Sequence, residues 1–397
     1  MGNGRAGESW TLVVRAPMVA EFAGLQGAAG AKGEGRGSRL DGGQPEVVVV
    51  TAASGLGLGE LPATLAGMEG LTRLELTDNC IWRGWERLRS LRQLRELSLN
   101  HCLEVVPAVL EGMESVTSLN LMFNPIERGW EHLRPLRQLL ELDLMDCGLA
   151  EVPAVLASME SVSRLALSGN PIKSGWGHLH PLRQLRELGL GDCRITELPA
   201  ALEGMESLTR LVISYNHIKQ GWEHLCPLRQ LRQLELYYCN LTELPEALGG
   251  MESLTSLDLG INPIKRGWEH LHPLHQMLVL KLEGCGLTEL PAALAGMEGM
   301  TCLDLSVNPI KRGWEHVRPL RQLREVDLRS CGLTVLPEAL EGMERMTSLV
   351  LGGNPIKSGW EHLRPLTRLQ KLSAAVDEEN VPEALKALKT LTIVHAS

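Results

Sequence analysis

The amino-acid sequence predicts an α/β solenoid, a curved stack with a parallel concave β-sheet on one side and short helical or 3-10 segments on the convex side. Three observations predict it. A 23-residue pattern of the form LxxLxLxx(N/C)xL recurs thirteen times between Leu71 and Arg368. Asparagine and cysteine alternate at its ninth position. Two kinds of convex segment, LPxxLxxM and GWEHLxPL, alternate in step with them, so the underlying unit is a 46-residue pair of repeats.

The alternating residues at the ninth position have a structural interpretation. The asparagines are Asn79, Asn124, Asn170, Asn216, Asn262, Asn308 and Asn354, and the cysteines are Cys102, Cys147, Cys193, Cys239, Cys285 and Cys331. After each strand the backbone turns, and its N–H and C=O groups would be buried without partners. An inward asparagine amide satisfies both kinds of group, whereas cysteine is small and is readily buried.

The repeats also divide the chain into segments. The predicted segments are a Gly-rich tail or linker at 1–47, a repeat domain at 48–391 with weak terminal repeats at 48–70 and 369–391, and a C-terminal tail at 392–397. We expect the tail to be disordered in part, because Gly24–Gly43 is rich in glycine and charge and has no periodicity. Trp10–Val14 and Glu21–Leu25 are candidate capping fragments, and the β-branched run Glu46–Thr51 predicts the first strand.

The convex segments should differ between the two repeat types. In the Cys-type repeat, Pro199 should start a helical turn, because its missing N–H would have no partner there. In the Asn-type repeat, the proline of GWEHLxPL, for example Pro227, forbids a long regular helix and predicts a short helical or 3-10 turn. Val381–Leu391 predicts an amphipathic helix that caps the solenoid.

Composition restricts the kinds of partner. The net charge of −9 argues against nucleic acid or an anionic membrane, which usually require a basic surface. No apolar run approaches the roughly 18 residues of a membrane span. Cysteines of the repeat lie two rungs apart, about 10 Å by strand spacing, which exceeds the roughly 7 Å reach of a disulfide. We therefore expect a reducing compartment and a cytoplasmic protein.

No motif predicts an enzyme, a metal site or a cofactor. The sequence has no GxxxxGK[ST], HExxH, GxSxG or CxxC. Histidine and tryptophan recur at fixed positions of the GWEHLxPL segment, as residues that serve the architecture do. Histidines two rungs apart cannot converge on one ion, and His270, His272 and His275 would bind metal only adventitiously.

The variation between repeats indicates where a partner binds. The copies differ mainly at repeat positions 5, 7 and 8, which face out of the concave sheet and hold all three tyrosines of the chain. Tyrosine is enriched at protein interfaces, so the tyrosines predict a hot spot. Carboxylates lie between them and an apolar pair about 19 Å away by strand spacing. The predicted partner-binding residues are Met122, Phe123, Asp143, Asp146, Asp192, Tyr215, Tyr237 and Tyr238.

These repeats resemble the leucine-rich repeat superfamily, and specifically its intracellular members with LPxxL convex segments, such as Ras-associated and cell-polarity scaffolds. The resemblance implies a protein-binding solenoid: a scaffold, adaptor or regulator in intracellular signalling, with a small GTPase or another signalling protein as partner. The partner should present a basic element flanked by apolar groups. An alternative is the sensor part of a larger immune-type or signalling receptor. The GWEHLxPL segment departs from the usual LPxxL form and leaves the subfamily open.

Overall fold

The computed structural model describes residues 11–14, 48–52, 59–77, 79, 81–101, 103–375, 382–386, 388 and 391–395. Most of the predicted tail at 1–47 lies outside the described residues, and so do Cys80 and Cys102. The chain divides into two compact units, Met1–Leu185 and Arg186–Ser397. Both are built from consecutive repeats, each of which contributes one rung: a strand, a turn and a convex segment.

The first unit contains strands β1–β7, all parallel and paired in chain order. They are β1 Thr11–Val14, β2 Val48–Ala52, β3 Leu71–Glu75, β4 Glu96–Ser98, β5 Ser118–Asn120, β6 Glu141–Asp143 and β7 Arg164–Ala166. Residues at the same repeat position lie opposite each other; Leu142, for example, pairs with Leu119 on one side and Leu165 on the other. The first candidate capping fragment contains strand β1, which pairs with β2, and the second lies outside the described residues.

The second unit contains strands β8–β17, which are likewise parallel. They are β8 Glu187–Gly189, β9 Arg210–Val212, β10 Gln233–Glu235, β11 Ser256–Asp258, β12 Val279–Lys281, β13 Cys302–Asp304, β14 Glu325–Asp327, β15 Ser348–Val350, β16 Lys371–Ala374 and β17 Thr392–His395. Strand β17 occupies most of the predicted C-terminal tail and pairs with β16. The helix α1, Glu383–Lys386, lies within the helix predicted over 381–391, of which residues 381, 387, 389 and 390 lie outside the described residues.

Both kinds of convex segment are 3-10 helices. Those of the LPxxL type are Ala63–Gly67, Ala108–Gly112, Ala154–Ser158, Ala200–Gly204, Glu246–Gly250, Ala292–Gly296 and Glu338–Gly342, and those of the GW type are Trp85–Ser90, Trp130–Leu133, Trp176–Leu179, Trp222–Leu225, Trp268–Leu271, Trp314–Val317 and Trp360–Leu363. Pro199 is the N-cap of its helix, with an extended backbone of φ −70° and ψ 134°. It therefore lies one residue before the helix begins, whereas the sequence predicts that it starts the turn. Its carbonyl accepts the Leu202 amide at 3.1 Å, so this proline fixes the entry to the turn.

The core consists of the repeated leucines. In one repeat of the second unit, Leu231, Leu234 and Leu236 are fully buried at positions 1, 4 and 6, and Leu241 at position 11 is 4% exposed. The same four positions are buried in the other clear repeats, as the sequence predicts, except that Ile356 at position 11 is half-buried. Since each rung covers only its neighbours, burial of this face depends on stacking.

The asparagine at position 9 bonds to two rungs at once. Asn262 is fully buried, and its Oδ1 accepts the amides of Cys239 and Leu241 in the preceding Cys-type rung at 2.9 and 3.0 Å. Its Nδ2 donates to the carbonyls of Leu236 and Leu259, both at 2.8 Å. Cysteine offers less at this position: the Cys285 thiol donates to the Leu259 carbonyl at 3.2 Å. Each Asn-type rung therefore supplies the side-chain hydrogen bonds that hold the backbone of the Cys-type rung before it.

The buried thiols of the Cys-type rungs should be chemically inert. Burial raises the pKa of Cys147 and Cys285 to about 12, and that of Cys239 and Cys331 to about 11. Since the thiolate is the reactive form, we expect these four to resist a thiol reagent at pH 8 until the protein unfolds, whereas the exposed Cys226 reacts at once. Mass spectrometry of the labelled native protein locates the modified cysteines, and a Cys226→Ser variant serves as control.

The same shifts give the pH dependence its sign. A thiol whose pKa is raised on folding stabilises the fold fully below its unfolded pKa of about 8.5, and that contribution is lost as pH rises through the folded pKa. The urea midpoint of unfolding should therefore fall as pH increases from about 8.5 towards 11. Labelling of Cys239 or Cys285 in the native protein at pH 8 would contradict the prediction that these buried thiols are inert and have raised pKa values.

Candidate partner-binding face

The residue at repeat position 8 closes the turn after each strand in a left-handed backbone conformation. All twelve described residues at this position have φ between 50° and 75°: His101, Phe123, Asp146, Gly169, Asp192, Tyr215, Tyr238, Ile261, Gly284, Val307, Ser330 and Gly353. Glycine adopts this conformation freely, and aspartate tolerates it, but bulky and β-branched side chains are strained by about 1–3 kcal/mol. The aromatic and β-branched residues at this position are therefore held against a local preference for glycine or aspartate.

Three tyrosines form one cluster in the second unit. The ring centroids of Tyr215 and Tyr237 lie 5.4 Å apart with an interplanar angle of 55°, and those of Tyr215 and Tyr238 lie 5.7 Å apart at 40°. Tyr215 is 53% exposed and Tyr238 50% exposed, whereas Tyr237 is half-buried. The first lies on the rung of β9 and the other two on the rung of β10, as predicted. Together they present an aromatic surface that is open to solvent.

The half-buried tyrosine is positioned by a glycine that the sequence analysis did not single out. A Cβ on Gly260, at position 7 of the next rung, would lie 2.8 Å from Cδ2 of Tyr237. The ring edge therefore lies directly against this glycine. The backbone amide of Tyr237 donates to Ser214 Oγ at 3.2 Å. Burial, and after it the negative charge of Glu283, raises the pKa of Tyr237, so its hydroxyl remains a proton donor. The signal in the sequence was a small residue one repeat after a large one.

Carboxylates border the cluster on the side of β11–β13. Asp258, Glu283 and Asp304 are all half-buried on the outward face of the sheet. Burial raises the pKa of Glu283, and the charge of Asp304 adds to that effect. Lys281 offsets part of this charge through its ion pair with Asp258 at 3.2 Å. The sequence analysis missed this group, although its members stand at positions 5 and 7 like the residues it selected. The arrangement suits a cation that contacts an aromatic ring and a carboxylate together.

The carboxylates that were predicted as binding groups have structural explanations. Asp143 Oδ1 accepts the Met145 amide at 2.9 Å, the same turn that Asp304 makes with Ser306. Burial raises the pKa of Asp143. Asp146 and Asp192 are exposed, but both occupy the left-handed position that aspartate tolerates. Their role as binding residues stays a prediction.

The apolar pair of the first unit has its own surroundings. Met122 is half-buried, and its backbone amide donates to Asn120 Oδ1 at 3.0 Å. Phe123 is 37% exposed and stacks on His101, with ring centroids 4.7 Å apart and an interplanar angle of 12°. The ring also lines a cleft of about 660 Å³ with Trp82. Phe123 thus belongs to an aromatic group of the first unit whose other members the sequence analysis did not select.

The comparisons with known proteins agree with this architecture. A solved leucine-rich repeat protein of Leptospira interrogans superposes with a TM-score of 0.66 at 22% identity, covering 82% of this chain and 88% of that one. An internalin of Listeria monocytogenes superposes with a TM-score of 0.58 at 19% identity, covering 77% and 82%. A leucine-rich repeat family profile matches residues 183–241. The chain therefore has the leucine-rich repeat fold. No curated protein sequence matches it significantly.

Leucine-rich repeat folds generally mediate protein–protein interaction. The predicted fold class, a leucine-rich repeat solenoid with a parallel sheet and short convex segments, is confirmed. Within the described residues, no three His, Cys, Asp or Glu side chains are grouped as a metal ion would require. His272 and His275 instead contact the carbonyls of Glu269 and Gly296 through Nδ1, at 2.9 and 3.2 Å. No helix in the described part of the chain is long and apolar enough to cross a membrane.

Proposed function

We propose that this leucine-rich repeat protein is a scaffold, adaptor or regulator that binds a protein partner on the outward face of its sheet, with Tyr215, Tyr237 and Tyr238 as the central contact. The observation that supports it most is the exposure of two clustered tyrosines at positions where the backbone favours glycine. The repeat architecture does not require them, because other rungs close the same turn with glycine. A large aromatic side chain retained there at a cost in stability is best explained by binding.

The chemistry of the partner follows from the surroundings of the tyrosines. Aromatic rings next to Asp258 and Glu283 suit an arginine or lysine flanked by apolar side chains. The guanidinium or ammonium group would lie over a ring and pair with a carboxylate, while its neighbours cover the exposed aromatic edges. A small GTPase or another signalling protein with such a basic element is a candidate, and a reducing cytoplasmic compartment is part of the same proposal.

The test uses a variant that should fold at least as well as the wild type. Tyr215→Gly and Tyr238→Gly place glycine where Gly284 and Gly353 stand in other rungs, and Tyr237→Ser copies Ser306. Partners captured from native lysate by the wild type should be lost by the triple variant. With a purified partner, the affinity should fall at least 100-fold, because hot-spot residues contribute about 2 kcal/mol or more each.

The matched control is Val307→Gly, which removes another exposed apolar residue from the left-handed position on the same face. It should leave the affinity unchanged. Glu283→Gln should weaken binding by about tenfold and reduce its salt dependence, because one charge-assisted contact is lost. If the triple variant captures the same partners with the same affinity as the wild type, the tyrosine cluster is not the binding site.

A further inference from the structure

One repeat position carries different residue types in the first three clear repeats from those in the later ones. Repeat position 12 lies three residues after the Asn or Cys, or two residues after Cys102, whose repeat is one residue shorter. It follows the turn, where the backbone amide of an Asn-type rung donates to the carbonyl of the rung before; Lys219 and Thr196, for example, are joined at 2.8 Å. Along most of the chain the row of residues at this position alternates between lysine and a small residue: Ala150, Lys173, Thr196, Lys219, Thr242, Lys265, Thr288, Lys311, Thr334 and Lys357. In the first three clear repeats it reads Trp82, Glu104 and Glu127.

The aromatic member of this row is exposed. Trp82 stands where five of the six later Asn-type repeats have lysine, and it is 69% exposed. It lines the cleft of about 660 Å³ together with Trp85, Val105 and Phe123. Val105 is a second departure, because four of the five later Cys-type repeats have a glutamate at its position, as Glu243 does. Two charged positions of the repeat have thus become apolar on one surface, which is the mark of an interaction site.

The charged residues of this surface have also changed sign. Glu104 lines the cleft, and the Glu127 amide donates to its carbonyl at 3.1 Å, so the two exposed carboxylates lie on adjacent rungs. The corresponding pairs in later repeats are a neutral residue and a lysine. Of the nearby cations, Arg83 lies over the Trp82 ring at 4.5 Å and pairs with Glu60 at 2.6 Å. Arg128, opposite Val105, faces no glutamate there, unlike Arg266, which pairs with Glu243 at 2.6 Å.

We infer that this surface of the first unit docks a segment of a protein partner in which a bulky apolar side chain stands beside a lysine or arginine. The apolar side chain enters the cleft between Trp82 and Phe123, and the cation pairs with Glu104 or Glu127. The surface is named the Trp82 surface. It is independent of the tyrosine cluster, which lies in the second unit. Each of the two proposed sites can therefore be refuted without affecting the other.

The test is fluorescence anisotropy at physiological salt with the full chain. The probe is a labelled twelve-residue peptide in which leucine or tryptophan alternates with lysine, and its counterpart has glutamate in place of every lysine. The wild type should bind the lysine peptide and not the glutamate peptide. Trp82→Lys, and separately Glu104→Thr with Glu127→Lys, should each weaken binding at least tenfold. Both variants restore residues that the later repeats use at this position, so the fold is preserved.

The control is Val335→Glu, which introduces the glutamate that most Cys-type repeats have, at a 53% exposed valine with Thr334 and Lys357 beside it instead of two glutamates. It should leave peptide affinity unchanged. Because the tyrosine cluster is proposed to bind similar chemistry, each titration is repeated in the triple tyrosine variant, where Trp82→Lys should still weaken the remaining binding at least tenfold. Bound peptide should also slow amide exchange in residues 101–128. If the wild type does not bind the lysine peptide, or if Trp82→Lys binds it as tightly as the wild type, the Trp82 surface is not a docking site.

Discussion

Replacing Asn262 with alanine should destabilise the second unit by about 4–6 kcal/mol. The substitution removes the acceptor of the Cys239 and Leu241 amides and the donor to the carbonyls of Leu236 and Leu259, all within the core. Each buried polar group left without its partner costs about 1–3 kcal/mol. The alanine side chain also leaves a small void. Urea unfolding followed by circular dichroism measures the loss, and amide exchange at Cys239 and Leu241 should accelerate most.

Three further variants distinguish the loss of the asparagine hydrogen bonds between rungs from an ordinary loss of packing. Asn262→Cys introduces the residue of the alternate rungs, but it should cost nearly as much as alanine, because cysteine supplies no acceptor for the preceding rung. Cys285→Ala removes only the weak hydrogen bonds of the thiol to the carbonyls of Leu259 and Glu283 and should cost about 1–2 kcal/mol. Lys265→Ala, exposed in the same repeat as the asparagine, should change stability by less than about 0.5 kcal/mol. If Asn262→Ala and Cys285→Ala lowered the free energy of unfolding equally, the asparagine hydrogen bonds would not be what holds adjacent rungs together.

The second large effect is expected for Gly267→Ala, at about 3–5 kcal/mol. This buried glycine has φ of 85° and caps the 3-10 helix Trp268–Leu271. A Cβ there would lie 2.7 Å from the carbonyl oxygen of Leu244 and 2.9 Å from its amide nitrogen. The alanine would therefore suffer both left-handed strain and a clash with backbone that cannot rotate away, so the two rungs would have to separate.

The matched control for this substitution is Gly250→Ala. That glycine is exposed at the end of a 3-10 helix, and a Cβ added to it meets nothing within 4 Å. Ser158 occupies the same place in an earlier repeat. Its replacement should leave the urea midpoint nearly unchanged. A large loss of stability for Gly250→Ala, or none for Gly267→Ala, would contradict the backbone-approach explanation of the glycine beside each tryptophan.

The positions of the strands, the core and the outward tyrosines can be predicted from the sequence alone. The 23-residue period places the strands, and the leucines at positions 1, 4, 6 and 11 define the core, because a periodic apolar pattern has one way to be buried in a stack of identical units. The same period places Tyr237 and Tyr238 on the rung after Tyr215. It also predicts that all three face outward, since side chains alternate across a strand.

Other features were decided only by the tertiary structure. The left-handed conformation of position 8 is invisible in the sequence, because residues as different as Gly284, Val307 and Tyr238 adopt it. It arises from the path that the backbone must take to pair with the next rung, which overrides local preference. The bonding of Asn262 across rungs, the seating of Tyr237 over Gly260 and the cleft beside Trp82 likewise depend on residues about one repeat apart, which only stacking brings into contact.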